Sequence, residues 1–238
     1  QYICFFVLLY MSNKKSIPIR FKNFRPGAYY FKEIVKGGLP SLFRQGCSSI
    51  AFVMLNHSAG VYGDAAIAAM TVVQRIMQFA ASAMIGYGQG FQPVCGFNFG
   101  AKKYDRVKDG VKFCTKSSLL VLIAFSVIGI VFAPQLIAQF RDDPEVIAIG
   151  VRTLRFQCIS FPLVGWIIIS NMMAQTIGYT VRASIMGMGR QFLFFVPCLY
   201  IMSAVMGLTG IEASQMAADI IGFVVSLAIG IDILKKMK

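Results

Sequence analysis

Long apolar runs separated by short charged blocks set the rhythm of this chain. No Asp, Glu, Lys or Arg occurs between Arg44 and Asp64, in Ile76–Ala101 or in Ser117–Phe140. The pattern predicts six membrane-spanning helices, over about 38–57, 66–99, 117–140, 152–178, 191–210 and 213–231. At 1.5 Å per residue each crosses a hydrocarbon layer of about 30 Å. The runs are far longer than the roughly ten-residue alternating strands of a membrane barrel. The expected fold class is therefore an all-α polytopic membrane protein. Residues 1–11 read as the end of a preceding span, 12–37 as a basic loop with a short amphipathic helix near 28–36, 38–234 as a six-helix unit and 235–238 as a tail.

Composition agrees with that pattern. The chain is 57% hydrophobic and 14% charged, against about a quarter charged in an ordinary soluble domain. Its net charge of +13 raises the question of nucleic acid, but the charges lie in blocks between apolar runs, not on one polar face. Of the 23 Lys and Arg residues, 18 fall in the opening segment, in 99–116, in 179–190 and in the tail. The alternate connections offer Asp64, the RDDPE stretch from Arg141 and Glu212. The bias toward every second connection makes 12–37, 99–116 and 179–190 cytoplasmic by the positive-inside rule. The six cysteines are scattered singly in or beside apolar runs, as small apolar side chains are.

Polar groups inside spans are costly and usually face a protein interior or a water-filled cavity. Gln45, Gln74, Gln78, Trp166, Asn171 and Gln175 are candidates for the wall of a substrate cavity. Gln74 and Gln78 are four apart and share a helix face, with Met70, Met77 and Met84 nearby. Pro40, Gly90, Gln92, Pro93 and Pro162 are candidates for helix breaks that serve gating, because proline removes an intrahelical hydrogen bond. Gly100 is the candidate cap of the second span, and Asp64 a cap or first-turn residue at its start. Arg75 lies deeper than a topology charge should. A fixed positive charge disfavours a cation-binding cavity, so Arg75 is expected to pair or to point away. Asp219 is the single acid well inside a span and a weak candidate for ion coupling. Each of these residues has a competing role in plain helix packing.

Neither GxxxxGK[ST], HExxH nor GxSxG occurs, so no hydrolytic or metal centre is expected and an enzyme is not the expectation. Uphill movement of a solute would draw on an ion gradient or another subunit, and Pro and Gly breaks in mid-membrane are typical of secondary transporters.

The stretch GYGQGFQPVCGFNFGAKKYDRVKDG, from Gly86 to Gly110, resembles the cytoplasmic end of the eighth helix in the MATE family of multidrug and toxic-compound extrusion transporters, in its bacterial MepA-like branch. EIVKGGLPSLFRQG, from Glu33, resembles the start of the seventh helix of that family, and the run from Gly189 to Asp219 its eleventh and twelfth. The resemblance covers nearly the whole chain. It implies the C-terminal lobe of a twelve-helix, two-lobe fold in a bacterial inner membrane, with a second six-helix lobe and the bilayer as partners. It implies export of cationic or amphipathic organic compounds in exchange for H⁺ or Na⁺, and no cofactor. Some members bind the ion through acids in the seventh and tenth helices, but 38–57 and 152–178 contain none. The coupling site is thus expected in the other lobe. Two other readings stay open: an exporter of lipid-linked or oligosaccharide precursors, which a large positive cluster in the cavity favours, and a non-transporting membrane scaffold.

Overall fold

The computed structural model describes residues 27–237, with the side chains of Glu33, Lys36, Gly37, Leu39–Ser41, Phe43 and Arg44 outside that description. The expectations for residues 1–26 therefore lie outside the described residues, as do the side-chain roles of Pro40 and Arg44. The chain divides into two units, 1–38 and 39–238, and the helix bundle belongs to the second.

The described residues form eight α-helices in chain order: α1 (Ala28–Gly60), α2 (Asp64–Gly100), α3 (Tyr104–Val131), α4 (Ala133–Ala138), α5 (Pro144–Thr176), α6 (Thr180–Met188), α7 (Phe195–Met206) and α8 (Leu208–Lys236). A π-helical turn over Gly189–Leu193 joins α6 to α7. Among the described residues, five continuous helical stretches, α2, α3, α5, α6 through α7, and α8, are long and apolar enough to cross a membrane, against the six spans expected; α1, which carries the one expected over 38–57, is not among them.

Several sequence expectations need correction. The helix expected near 28–36 is not separate, because α1 runs unbroken from Ala28 through Pro40. The segment expected as a loop over 99–116 is a three-residue turn after which α3 begins at Tyr104. The segment expected as a loop over 179–190 is helical from Thr180. Basic residues mark helix ends here as well as loops, since long cationic side chains reach the headgroup layer from inside a helix. The span expected over 117–140 likewise stops at Val131, and the short α4 follows.

α5 is the axis of the unit. Two-thirds (67%) of its most apolar stretch is buried, against 28% for α3. It packs on α2, α3, α4, α6 and α8. Asp143 caps its start, its Oδ1 accepting the Glu145 backbone N–H at 3.0 Å, with Pro144 in the first turn, a position that suits proline. The buried face of α3 is a single stripe, Val107, Val111, Cys114, Ser118, Leu122, Ser126 and Gly129. Its small members let α3 sit close to α5: a Cβ on Gly129 would lie 2.6 Å from Cys158 Sγ, and one on Gly165 only 2.7 Å from Ser118 Oγ. Outside this stripe Leu120, Val127 and Val131 are exposed, as lipid-facing side chains are.

α8 presents an equally regular face to its neighbours. Ser214, Ala218, Gly222, Ser226 and Gly230 are all buried and four apart, which permits close packing inside a membrane. Gly230 abuts Trp166 and Ser170, and Gly222 abuts Ile167, all of α5. The chain turns from α7 into α8 at Gly207, whose φ of 61° favours glycine. Three residues on, a Cβ at Gly210 would collide with the Met202 carbonyl.

Candidate functional site

A cleft of about 860 Å³ opens between α1, α2, α5, the π-turn and α8. One face of α2 supplies Thr71, Gln74, Arg75 and Gln78. The opposite face carries Ala69, Met70, Val73 and Ala80 into the core, so the amphipathic spacing of this helix fixes which residues meet the cleft. α1 adds Ser48, Ser49 and Phe52, and α5 adds Gln157, Ile168 and Asn171. Arg190, Gln191 and Gln215 complete the wall.

Of the residues expected in a cavity wall, the structure brings Gln74, Gln78 and Asn171 together here. Asn171 is held by α6, its Nδ2 donating to the Ala183 carbonyl. Gln45 lies one turn before the cleft, exposed, with its carbonyl accepting from Ser49 Oγ at 3.1 Å. Trp166 is elsewhere: it packs in the cluster formed by Ile169, Met173 and Ile233, against Gly230, where the missing Cβ leaves room for an indole. Gln175 also lies outside the cleft and accepts from Gln92 Nε2 at 3.4 Å, a link between α5 and the last turns of α2. Met77 lines the cleft, whereas Met70 and Met84 are core residues.

The expected helix breaks are quieter than their residue types imply. α2 continues through Pro93 to Gly100, and α5 through Pro162 to Thr176. Nothing lies within 4 Å of a Cβ placed on Gly86, Gly90 or Gly100, while Gly88 sits against Ile168 and Met172 and Gly96 against Thr176. The α2–α5 approach thus rests on Gly88 and Gly96. The left-handed residue that ends α2 is Lys102, with φ 58°, not Gly100. The Lys103 N–H closes the end by donating to the Asn98 carbonyl at 2.9 Å. Asp64 is the first helical residue of α2 and makes no side-chain cap bond, since Gly63 occupies the cap position.

Two acids of α8 sit in surroundings that their sequence positions do not suggest. Asp219 is 1% exposed and receives three donors: Arg190 Nε at 2.7 Å and Gln215 Nε2 at 2.9 Å on Oδ1, and Ser160 Oγ at 3.2 Å on Oδ2. Arg190, expected in a loop, is therefore the half-buried ion-pair partner of a buried acid, on the cleft wall. Glu212, expected in an external connection, is fully buried inside α8. Arg152 Nη2 comes within 3.1 Å of its Oε1, but the approach is misdirected, and neither carboxylate oxygen accepts a hydrogen bond among the described residues.

Arg75 departs from its expectation. It neither pairs with an acid among the described residues nor leaves the cleft; it lines the wall and is exposed there. At the basic end of the unit, by contrast, charges are tied: Arg182 Nη1 donates to Asp232 Oδ2 at 2.7 Å and Lys236 Nζ lies 3.1 Å from the same oxygen. The Arg182 guanidinium also stacks over the Tyr179 ring at 5.2 Å.

Bundled spanning helices around a polar cleft define one lobe of a polytopic membrane protein. The MatE family model matches residues 40–201, and the chain belongs to that family. It is 24% identical over 215 residues to the multidrug export protein MepA of Staphylococcus haemolyticus (strain JCSC1435) and 26% identical to that of Staphylococcus aureus (strain MSSA476). In each case 90% of this chain aligns with 47% of the relative, so the chain spans about half the length of these relatives. A MATE protein crystallised with MaD3S superposes with a TM-score of 0.87 at 21% identity, over 98% of this chain and 53% of that one. The bent form of the Vibrio cholerae MATE transporter VcmN gives 0.81 at 20% identity, over 89% and 48%. The fold is that of half a MATE-type structure.

Proposed function

We propose that this chain is a lobe of a secondary antiporter that exports cationic or amphipathic organic compounds in exchange for H⁺ or Na⁺, together with a second six-helix lobe. It acts as a multi-pass protein of the bacterial cytoplasmic membrane, not as an enzyme. The observation that carries this reading is the cleft. Its size falls in the range of small-molecule sites, and its wall combines amides, aromatic rings and Met77, which accommodate varied amphipathic shapes without demanding one hydrogen-bond pattern. Membership of the MatE family and kinship to MepA proteins support it. Ion coupling is assigned to the other lobe, because Asp219, the weak candidate here, is held by three donors and has no free face for an ion.

Ethidium efflux from cells expressing the complete coding sequence that contains this chain tests the proposal, with the H⁺ and Na⁺ gradients collapsed separately. Efflux that stops with one gradient names the coupling ion. A well-inserted protein that moves no ethidium under either gradient overturns antiport of cations and moves the weight to lipid-linked precursors.

A further inference from the structure

The electrostatics of the cleft narrow the substrate class, on the premise that the cleft is the substrate site proposed above. Its wall contains two guanidinium groups, Arg75 and Arg190, and six side-chain amides, but no carboxylate among the described residues. Asp219 lies behind the wall and uses only part of the hydrogen-bonding capacity of Arg190. Nε donates to Oδ1, and the two Nη groups have no acceptor among the described residues. Arg190 is held in place by that bond and by its position in the π-turn, so its remaining donors form a fixed edge. Arg75 comes from α2 and pairs with no acid among the described residues. A planar guanidinium with free N–H groups matches a carboxylate and repels a bare cation.

We infer that this cleft selects amphipathic compounds that carry a carboxylate, zwitterions above all, over their esterified purely cationic counterparts, with Arg75 as the charge that selects and Arg190 as the pre-positioned donor. The surrounding amides of Gln74, Gln78 and Asn171 tolerate either charge, because an amide offers both donor and acceptor. The apolar body of the compound lies on Phe52, Ile168 and Met172. Arg75 therefore decides the class without determining whether an amphipath binds at all.

Rhodamine 110 and its methyl ester, rhodamine 123, test this. They share one cationic chromophore and differ in a free carboxylate. Binding of each dye is measured by fluorescence anisotropy on the purified complete protein in detergent. The expected preference for the acid is about tenfold, the worth of one charge-assisted hydrogen bond. In Arg75→Gln the acid weakens and the ester tightens, so the two affinities converge. Arg190→Lys keeps the charge beside Asp219 but withdraws the planar edge, and lowers acid affinity alone. Equal affinities in the wild type, or a preference that is undiminished in Arg75→Gln, overturn the inference. Because binding needs neither a gradient nor transport, a protein that moves no dye in cells yet shows the Arg75-dependent preference sinks the antiport reading and keeps this one. A protein that exports ethidium but shows no preference does the reverse.

Discussion

Asp219 and Glu212 lie seven residues apart on α8, and both are buried against an arginine from another element. They are held in opposite ways. Asp219 has three well-aimed donors, and its partner Arg190 keeps only 16% of its side chain exposed. Glu212 has a single misdirected neighbour whose side chain is 55% exposed. Breaking a buried ion pair is costly because the surviving charge has nowhere to go. Arg190, anchored in the π-turn with only its outer edge on the cleft, would lose the one anion beside it; Arg152 would turn to solvent or headgroups. Neighbouring turns of α8 are thus joined to the bundle by different physics, by hydrogen bonds at Asp219 and by close backbone contact at Gly210.

The largest effect is expected at Asp219. Asp219→Ala strands a guanidinium and should cost about 3–5 kcal/mol, read as an early thermal unfolding of the complete protein in detergent. The double variant Arg190→Gln/Asp219→Asn, which replaces the charges with amides, should recover a large part of that loss. No recovery would mean that Asp219 is needed for packing, not for its charge. Gly210→Ala comes next. The added methyl has no room beside the Met202 carbonyl, and overpacking of this kind costs about 1–3 kcal/mol or more. Glu212→Gln is the smallest, within about 1 kcal/mol of the parent in either direction, because it removes a buried charge that has no hydrogen bond to lose. A loss at Glu212→Gln as large as that at Asp219→Ala would erase the contrast.

How much of this is legible in the sequence depends on the range of the interaction involved. Hydropathy is a local sum, so the spans, the helical class and the amphipathic face of α2 with Gln74 and Gln78 can be read directly. The stripe from Ser214 to Gly230 is also visible, as small residues at every fourth position. Pairings are not visible. Arg190 and Asp219 are 29 residues apart, and a positive residue between two apolar runs looks the same whether it marks a loop or closes a buried ion pair. Trp166 is hard to place for a related reason: spacing puts it in mid-span, but only the facing Gly230 shows which way the indole lies. Pro93 and Pro162 promise breaks that tertiary packing absorbs into continuous helices.

The π-turn at Gly189–Leu193 has a consequence for the tolerance of this region to insertions and deletions. The Phe194 N–H donates to the Gly189 carbonyl at 2.9 Å, five residues back, so the turn holds one residue more than an α-helix would. Removing any one residue there would restore the ordinary ladder and rotate α7 against α6 by about 100°. Arg190 and Phe195 could then no longer both keep their present phase, and one would leave the cleft wall. Substitutions along this segment are therefore expected to be graded in effect, whereas a single-codon deletion should act as an all-or-none change in the handed arrangement of the wall, whichever residue is lost.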